Sequence, residues 1–177
     1  SPGDGLEKVA AVLRDAKSDS AAVVDGQGVL LGAVLLSEIF PILITRHDLR
    51  GMVGDFMSRH VVTVEAHEPI QRVYTLIMES GFTAFPVVSR KQLAGIVSRH
   101  DLLRAGRVRK ALSNPAHVEV ESVMTKEIVT IGSDTPAPEA AALLVKHDIS
   151  RMPVVDAGRI VGIIDRHDLL RGLVFKQ

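Results

Sequence analysis

Residues 95–104 read Gly-Ile-Val-Ser-Arg-His-Asp-Leu-Leu-Arg, and residues 162–171 read Gly-Ile-Ile-Asp-Arg-His-Asp-Leu-Leu-Arg. The two stretches lie 67 residues apart, and at that offset Met57 to Arg104 aligns with Met124 to Arg171 without a gap. Sixteen of the 48 aligned positions are identical, among them Met57 and Met124, Thr63 and Thr130, Pro86 and Pro153, Gly95 and Gly162. An ungapped match of this length marks a duplicated structural unit. A third, degenerate copy precedes the other two. Residues 21–40 (AAVVDGQGVLLGAVLLSEIF) resemble residues 84–103 (AFPVVSRKQLAGIVSRHDLL), with Val23 and Val24 over Val87 and Val88. Gly32 falls over Gly95 with one extra residue in the turn. This copy starts only a few residues before its helix and lacks the strand that opens the others. The expected organisation is a partial unit at 1–50 and complete units at 51–112 and 113–177.

Each unit carries the same alternation of patterns. A short β-rich run (VVTVEA at 61–66, IVTIGS at 128–133) is followed by apolar residues at helical spacing. These are Leu6, Val9, Ala10 and Leu13 in the first unit, and Ile70, Val73, Tyr74, Ile77 and Met78 in the second. In the third they are Ala140, Ala141, Leu144 and Val145. Pro69 and Pro136 sit near the helix starts, where the missing N–H costs nothing. Strands AAVVD, FPVVS and MPVVD come next, then the turns DGQG, SRKQ and DAGR. A second strand, LAGIVS or IVGIID, leads into a short final helix. The fold class read from this order is α/β (α+β), as tandem βαββα units. One unit of this size buries too little surface to be secure alone, so units are expected to pack in pairs.

The ordered set VMT, VTI, helix, MPVVD and IVGIIDRHDLL resembles the CBS domain, in two full copies and one partial copy. The resemblance implies paired repeats that act as regulatory appendages or stand-alone sensors. It implies AMP, ADP, ATP or S-adenosylmethionine as ligand in the clefts between them, homodimerisation, and a regulated protein partner that the sequence does not name. The family's ligand motif, Gly-apolar-apolar-(Ser/Thr)-x-x-(Asp/Asn), is matched in full by Gly95-Ile96-Val97-Ser98-Arg99-His100-Asp101. An aspartate on the first helical turn can accept both ribose hydroxyls, while a serine hydroxyl and free N–H groups hold phosphate. Arg99 and His100 would add charge or hydrogen bonds. The last unit keeps Arg166, His167 and Asp168 but places Asp165 where the hydroxyl would meet phosphate. Repulsion there disfavours a polyphosphate and favours a nucleoside or a cationic ligand such as S-adenosylmethionine. The first unit lacks both groups at the matching positions, Leu35 and Glu38, and is expected to hold no such site. By resemblance the adenine lies against Thr63, Val64, Ala84, Phe85 and Pro86 in one unit. In the other it lies against Thr130, Ile131, Arg151, Met152 and Pro153. Phe85 or Met152 is expected to cover its face.

The same residues have plainer roles. Ser98-x-x-Asp101 is close to a capping box, and Asp165 is a good N-cap. Capping alone and capping plus ribose binding both fit. A second Arg-His-Asp-Leu at 46–49 falls about ten residues too late for the motif and reads as coincidence. Seven scattered histidines show no metal-ligand spacing, so no metal is expected. No nucleophile elbow, P-loop or dinucleotide fingerprint is present, so no catalytic residue is assigned. Lys+Arg and Asp+Glu both number 21, which gives no broad field for nucleic acid or anionic membrane. The basic run Arg104, Arg107, Arg109 and Lys110 reads as a solvated linker without a stacking platform. The absence of cysteine fits a reducing compartment, and the apolar run VLLGAVLLSEIFPILI is too short and too interrupted to span a membrane. A cytoplasmic regulatory module is the expectation. A ligand-free dimerisation module is the alternative, with nucleic-acid binding behind both.

Overall fold

The computed structural model describes residues 1–82, 84–103 and 118–174. The basic run at 104–110 lies outside them. Contacts group the chain into two compact units, one of residues 1–59, 131–154 and 162–177, the other of residues 60–130 and 155–161. Helices and small sheets alternate in both, as an α+β fold.

In the second unit, β4 (Val64–Glu65) runs parallel to β5 (Ala84–Ser89), which is antiparallel to β6 (Gln92–Ser98). Between β4 and β5 lies α4 (Ile70–Ser80), which starts after Pro69 and ends on Gly81 in the left-handed region. Ile70, Val73 and Leu76 face a core formed with Val64, Phe85, Val87, Val97 and Leu102. Met78 is 84% exposed, since it lies off the stripe that starts at Ile70, and Leu76 takes the place expected of it. The opening strand is shorter than VVTVEA suggested. Only Val64 and Glu65 pair, with Val87 and Val88. A short helix α5 (Arg99–Leu103) follows β6 directly.

The first unit holds α1 (Leu6–Ala16), the hairpin β1 (Ser20–Val24) and β2 (Leu30–Leu35), and α2 (Leu36–Arg46). It adds β3 (Asp48–Leu49), α3 (Val53–Phe56), α6 (Ala137–Lys146) and α7 (Arg166–Gly172). Strand β9 (Leu173–Val174) pairs with β3. The last hairpin, β7 (Arg151–Asp156) and β8 (Arg159–Asp165), belongs here except for its tip at 155–161. Its opening strand is reduced to one parallel bridge, Ile131 to Val154. The core is aliphatic apart from Phe40, with Leu13, Leu36, Phe40, Leu43, Leu144, Met152, Ile164 and Leu169 fully buried. The second Arg-His-Asp-Leu is structural. Arg46 ends α2, buried His47 meets Glu7 at 3.2 Å, and Asp48–Leu49 form β3. No helix among the described residues is long and apolar enough to cross a membrane.

The lead segment of each complete repeat packs in the unit of the other repeat's helix. Val53 N–H and Ala137 N–H bond the carbonyls of Thr135 and Gly51, so residues 51–53 cap the start of α6. Ile70 N–H and Val120 N–H bond the carbonyls of Val118 and Glu68, so residues 118–120 do the same for α4. Further along, Ser58 exchanges two backbone bonds with Ile163, and Thr125 exchanges two with Ile96. These exchanged segments place residues 51–59 in the first compact unit and 118–130 in the second.

The turn SRKQ carries little turn chemistry but adopts the same shape as DAGR. Arg90 and Lys91 have φ of 50° and 65°, and Ala157 and Gly158 have 49° and 76°. Left-handed backbone at both central positions suits asparagine and glycine, not a long side chain. Lys91→Gly should stabilise the protein by roughly 0.5 kcal/mol, as relief of left-handed strain outweighs added chain entropy. A higher urea midpoint at unchanged slope would show it.

Candidate functional site

Strand pairing assembles the middle-repeat site. Ala84 pairs with Ser98, and Phe85 and Pro86 pair with Val97 and Ile96, so the start of β5 lies beside the end of β6. Ser98 opens α5, and Asp101, 9% exposed, folds back over it. Asp101 Oδ2 accepts from the Ser98 N–H at 2.9 Å and the Ser98 hydroxyl at 2.6 Å. The Asp101 N–H donates to Ser98 Oγ at 3.2 Å. Asp101 Oδ1 accepts from the Thr125 hydroxyl at 3.4 Å. The capping role is thus real. A carboxylate has about four acceptor positions, and three are in use.

Arg99 and His100 are exposed at the head of α5. Thr63 and Ala84 are half-buried, and Val64 and Pro86 are buried. Phe85 is 0% exposed and belongs to the core, and so is Met152 in the last repeat. Both side chains expected to cover a base are thus fully buried core residues. The exposed aromatic beside Phe85 is Phe82, 45% exposed, with ring centres 6.3 Å apart.

The last repeat builds a different site from nearly the same letters. Asp165 caps α7, accepting from the Asp168 N–H at 2.8 Å, while Asp168 accepts from the Asp165 N–H at 3.1 Å. Arg171 donates to Asp168 Oδ1 at 2.7 Å and to the Phe56 carbonyl at 3.0 Å. Burial and the Asp165 carboxylate push the Asp168 carboxyl up to about 6, against the pull of the Asp165 N–H and Arg171. Arg166 is 9% exposed and paired with Asp148 at 3.4 Å, and His167 lies 3.0 Å from Asp19. Their counterparts Arg99 and His100 are exposed. Ile131 and Pro153 are buried, Arg151 is half-buried and Thr130 is exposed.

Sequence reading missed Thr125, Arg171, Asp148 and Asp19. Thr125 had a signal: a Met-Ser/Thr pair recurs at 57–58 and 124–125. The partners of Arg166 and His167 had none, since they come from 18 and 148 residues away. Among the described residues no cluster of His, Asp and Glu could hold a metal ion.

A family model for the CBS domain matches residues 53–107 and 120–174. The chain belongs to the CBS domain family. It is 26% identical over 164 residues to protein MJ1225 of Methanocaldococcus jannaschii, covering 85% of this chain and 57% of that protein. The crystal structure of MJ1225 superposes with a TM-score of 0.82 over 95% of this chain and 64% of that one, at 23% identity, which supports the fold. A structure of CBSX2 in complex with AMP is 31% identical, with a TM-score of 0.59, over 68% of this chain and 93% of that one. CBSX2 is a CBS-pair protein from Arabidopsis thaliana. The CBS domain pair of MJ0100, in complex with 5′-methylthioadenosine and S-adenosyl-L-methionine, is 27% identical, with a TM-score of 0.56, over 69% and 94%. The chain spans 57% and 44% of the first two curated relatives it matches. The two matched stretches form a tandem CBS pair, a regulatory module.

The two acidic groups of the last CBS repeat make a pH prediction. Asp168 has a folded value of about 6 against an ordinary 3.8, so the native state holds its proton more tightly than the unfolded chain. Its contribution is complete below about pH 4 and is lost as pH rises through 6, a change of about 1–2 kcal/mol after solvent screening. Asp165→Ser keeps a capping oxygen and removes the repulsion. Relative to the parent, this variant should gain stability between pH 4 and 6 and keep the gain above 6. Paired thermal unfolding from pH 4 to 8 measures it.

Proposed function

We propose that this CBS module binds an adenosine-bearing ligand at the Ser98–Asp101 turn of the middle repeat, and that occupancy biases a partner. The observation that carries the reading is the buried Asp101 carboxylate. Ser98 and Thr125 hold it in one orientation, and one acceptor position is left for a ribose hydroxyl. Ala84 backbone beside Ser98 supplies groups that can read an adenine edge, and exposed Arg99 and His100 suit a phosphate. The AMP complex of CBSX2 and the nucleoside-type ligands of MJ0100 supply the ligand class. The carboxyl pair Asp165 and Asp168 makes the last repeat the poorer host for phosphate and the better one for a sulfonium cation.

Thermal unfolding with AMP, ADP, ATP, adenosine and S-adenosylmethionine tests this. A ligand at 100 times its Kd should stabilise by about 2.7 kcal/mol, or roughly 5–10 °C for a chain of this size. A shift with any of the five supports the sensor role and names the class. No shift with all five overturns it in favour of a ligand-free assembly module.

A further inference from the structure

One cavity of the first compact unit shares no residue with either helix-start motif. It opens where the end of α2 and the chain that follows lie against α6, and its volume is about 550 Å³. Small-molecule sites span about 300–1,000 Å³. Its wall is apolar, with Ile44 and Leu49 on one side and Pro138, Ala141 and Ala142 of α6 on the other. Because α6 contributes only proline and alanine, nothing long reaches across from it to close the recess.

Asp48 and Arg50 also line this cavity. The second Arg-His-Asp-Leu, which the adenosine motif does not absorb, thereby supplies His47, Asp48 and Leu49 to it. Arg50 Nη2 lies 3.4 Å from Asp48 Oδ2, and the two side chains are 82% and 46% exposed. An ion pair this long and this open to solvent contributes little, so a ligand can re-partner its charges at small cost. The backbone beneath it is fixed. Leu49 pairs with Leu173 in the β3–β9 ladder, and buried His47 meets Glu7 of α1 at 3.2 Å. Such a site is held ready before a ligand arrives.

A cation and an anion beside an aliphatic wall complement a zwitterion with an apolar body. A simple anion would meet Asp48, and a simple cation would meet Arg50. We propose that the cavity binds a free α-amino acid with a large apolar side chain. Its carboxylate lies on Arg50, its ammonium on Asp48 and its side chain against Ile44, Leu49 and Ala142. A guanidinium grips a carboxylate through two parallel bonds. A carboxylate has about four acceptor positions, enough for ammonium protons beside the bond from Arg50. The site is independent of the Ser98–Asp101 reading, since a chain that ignores every adenosine ligand can still bind the amino acid.

The test is a titration of the isotope-labelled full chain with leucine, methionine, phenylalanine and tryptophan, followed by backbone amide NMR. Glycine, isocaproate and isoamylamine serve as probes that lack the side chain, the ammonium and the carboxylate. Saturable shifts of amides within residues 44–50 and 139–142 are expected with at least one of the four amino acids. Each truncated probe should bind at least tenfold more weakly. Arg50→Gln and Asp48→Asn should each weaken the amino acid at least tenfold. Ala142→Leu, at an exposed helical position, should abolish binding without lowering the thermal midpoint, because the added side chain fills the recess. No saturable shift with any of the four, or unchanged affinity in Arg50→Gln, would overturn the proposal. Equal affinity for isocaproate would also overturn it, by reducing the cavity to an anion site.

Discussion

Gly162→Ala should lower folding stability by about 2–3 kcal/mol, and Gly95→Ala by a similar amount, while Gly32→Ala should be neutral or slightly stabilising. None of these glycines has a positive φ, so the difference is steric. At Gly162 the new methyl would lie 2.5 Å from Met57 Sδ and 2.9 Å from the Ser58 carbonyl oxygen. The thioether can turn away, but the carbonyl is fixed by its bond from the Ile163 N–H at 2.9 Å. Relief must come from moving the lead segment, which breaks a two-bond bridge and loosens Met57, 8% exposed in the core. A loss of this size is roughly 5–10 °C in Tm for a chain of 177 residues. At Gly32 the same methyl meets nothing within 4 Å and only restricts the unfolded chain. Urea denaturation of the three variants gives the ranking. Equal losses at all three would mean that the glycines serve the strands and not the seated segments.

That contrast shows what the sequence made legible. The repeat announced the hairpins to the residue, since Val87 over Val23 and Gly95 over Gly32 are the pairs found in register. Periodicity located α1, α4 and α6, each of which buries one apolar stripe, while α2, expected as a short final helix, runs to 11 residues. What periodicity could not carry was exchange. Residues 51–58 open the middle repeat in sequence but pack on α6 and β8 of the last repeat, and nothing local to them encodes a partner over 80 residues away. The opening strands were overread for a related reason. VVTVEA and IVTIGS have strand composition, but only one or two residues of each pair with a strand, and their last residues bond the exchanged segments instead, Ala66 accepting from the Glu121 N–H and Ser133 from the Gly54 N–H. At the site, the motif placed Ser98, Asp101, Asp165 and Asp168 correctly on helix starts. It did not show that Phe85 and Met152 are fully buried core residues, because a Pro-Val-Val strand packs side chains on both of its faces.

Asp101→Asn should weaken an adenosine ligand about 10–100-fold and leave the protein folded. The amide keeps one oxygen for the Ser98 N–H, now 2.9 Å from Oδ2, so the cap survives at a cost of no more than about 1 kcal/mol. It loses the charge and the second acceptor, and a hydrogen bond to a charged group contributes about 1.5–3 kcal/mol. Asp168→Asn should cost less affinity. Asp168 already spends Oδ1 on Arg171 and shares its surroundings with Asp165, so it offers ribose a weaker acceptor. Calorimetric titration of the two variants with the ligand that shifts Tm most decides between capping alone and capping with binding. Unchanged affinity in Asp101→Asn with a lowered midpoint would reduce the motif to a helix cap. A larger loss in Asp168→Asn would move the principal site to the last repeat, where the acidic pair selects against phosphate and for a cation.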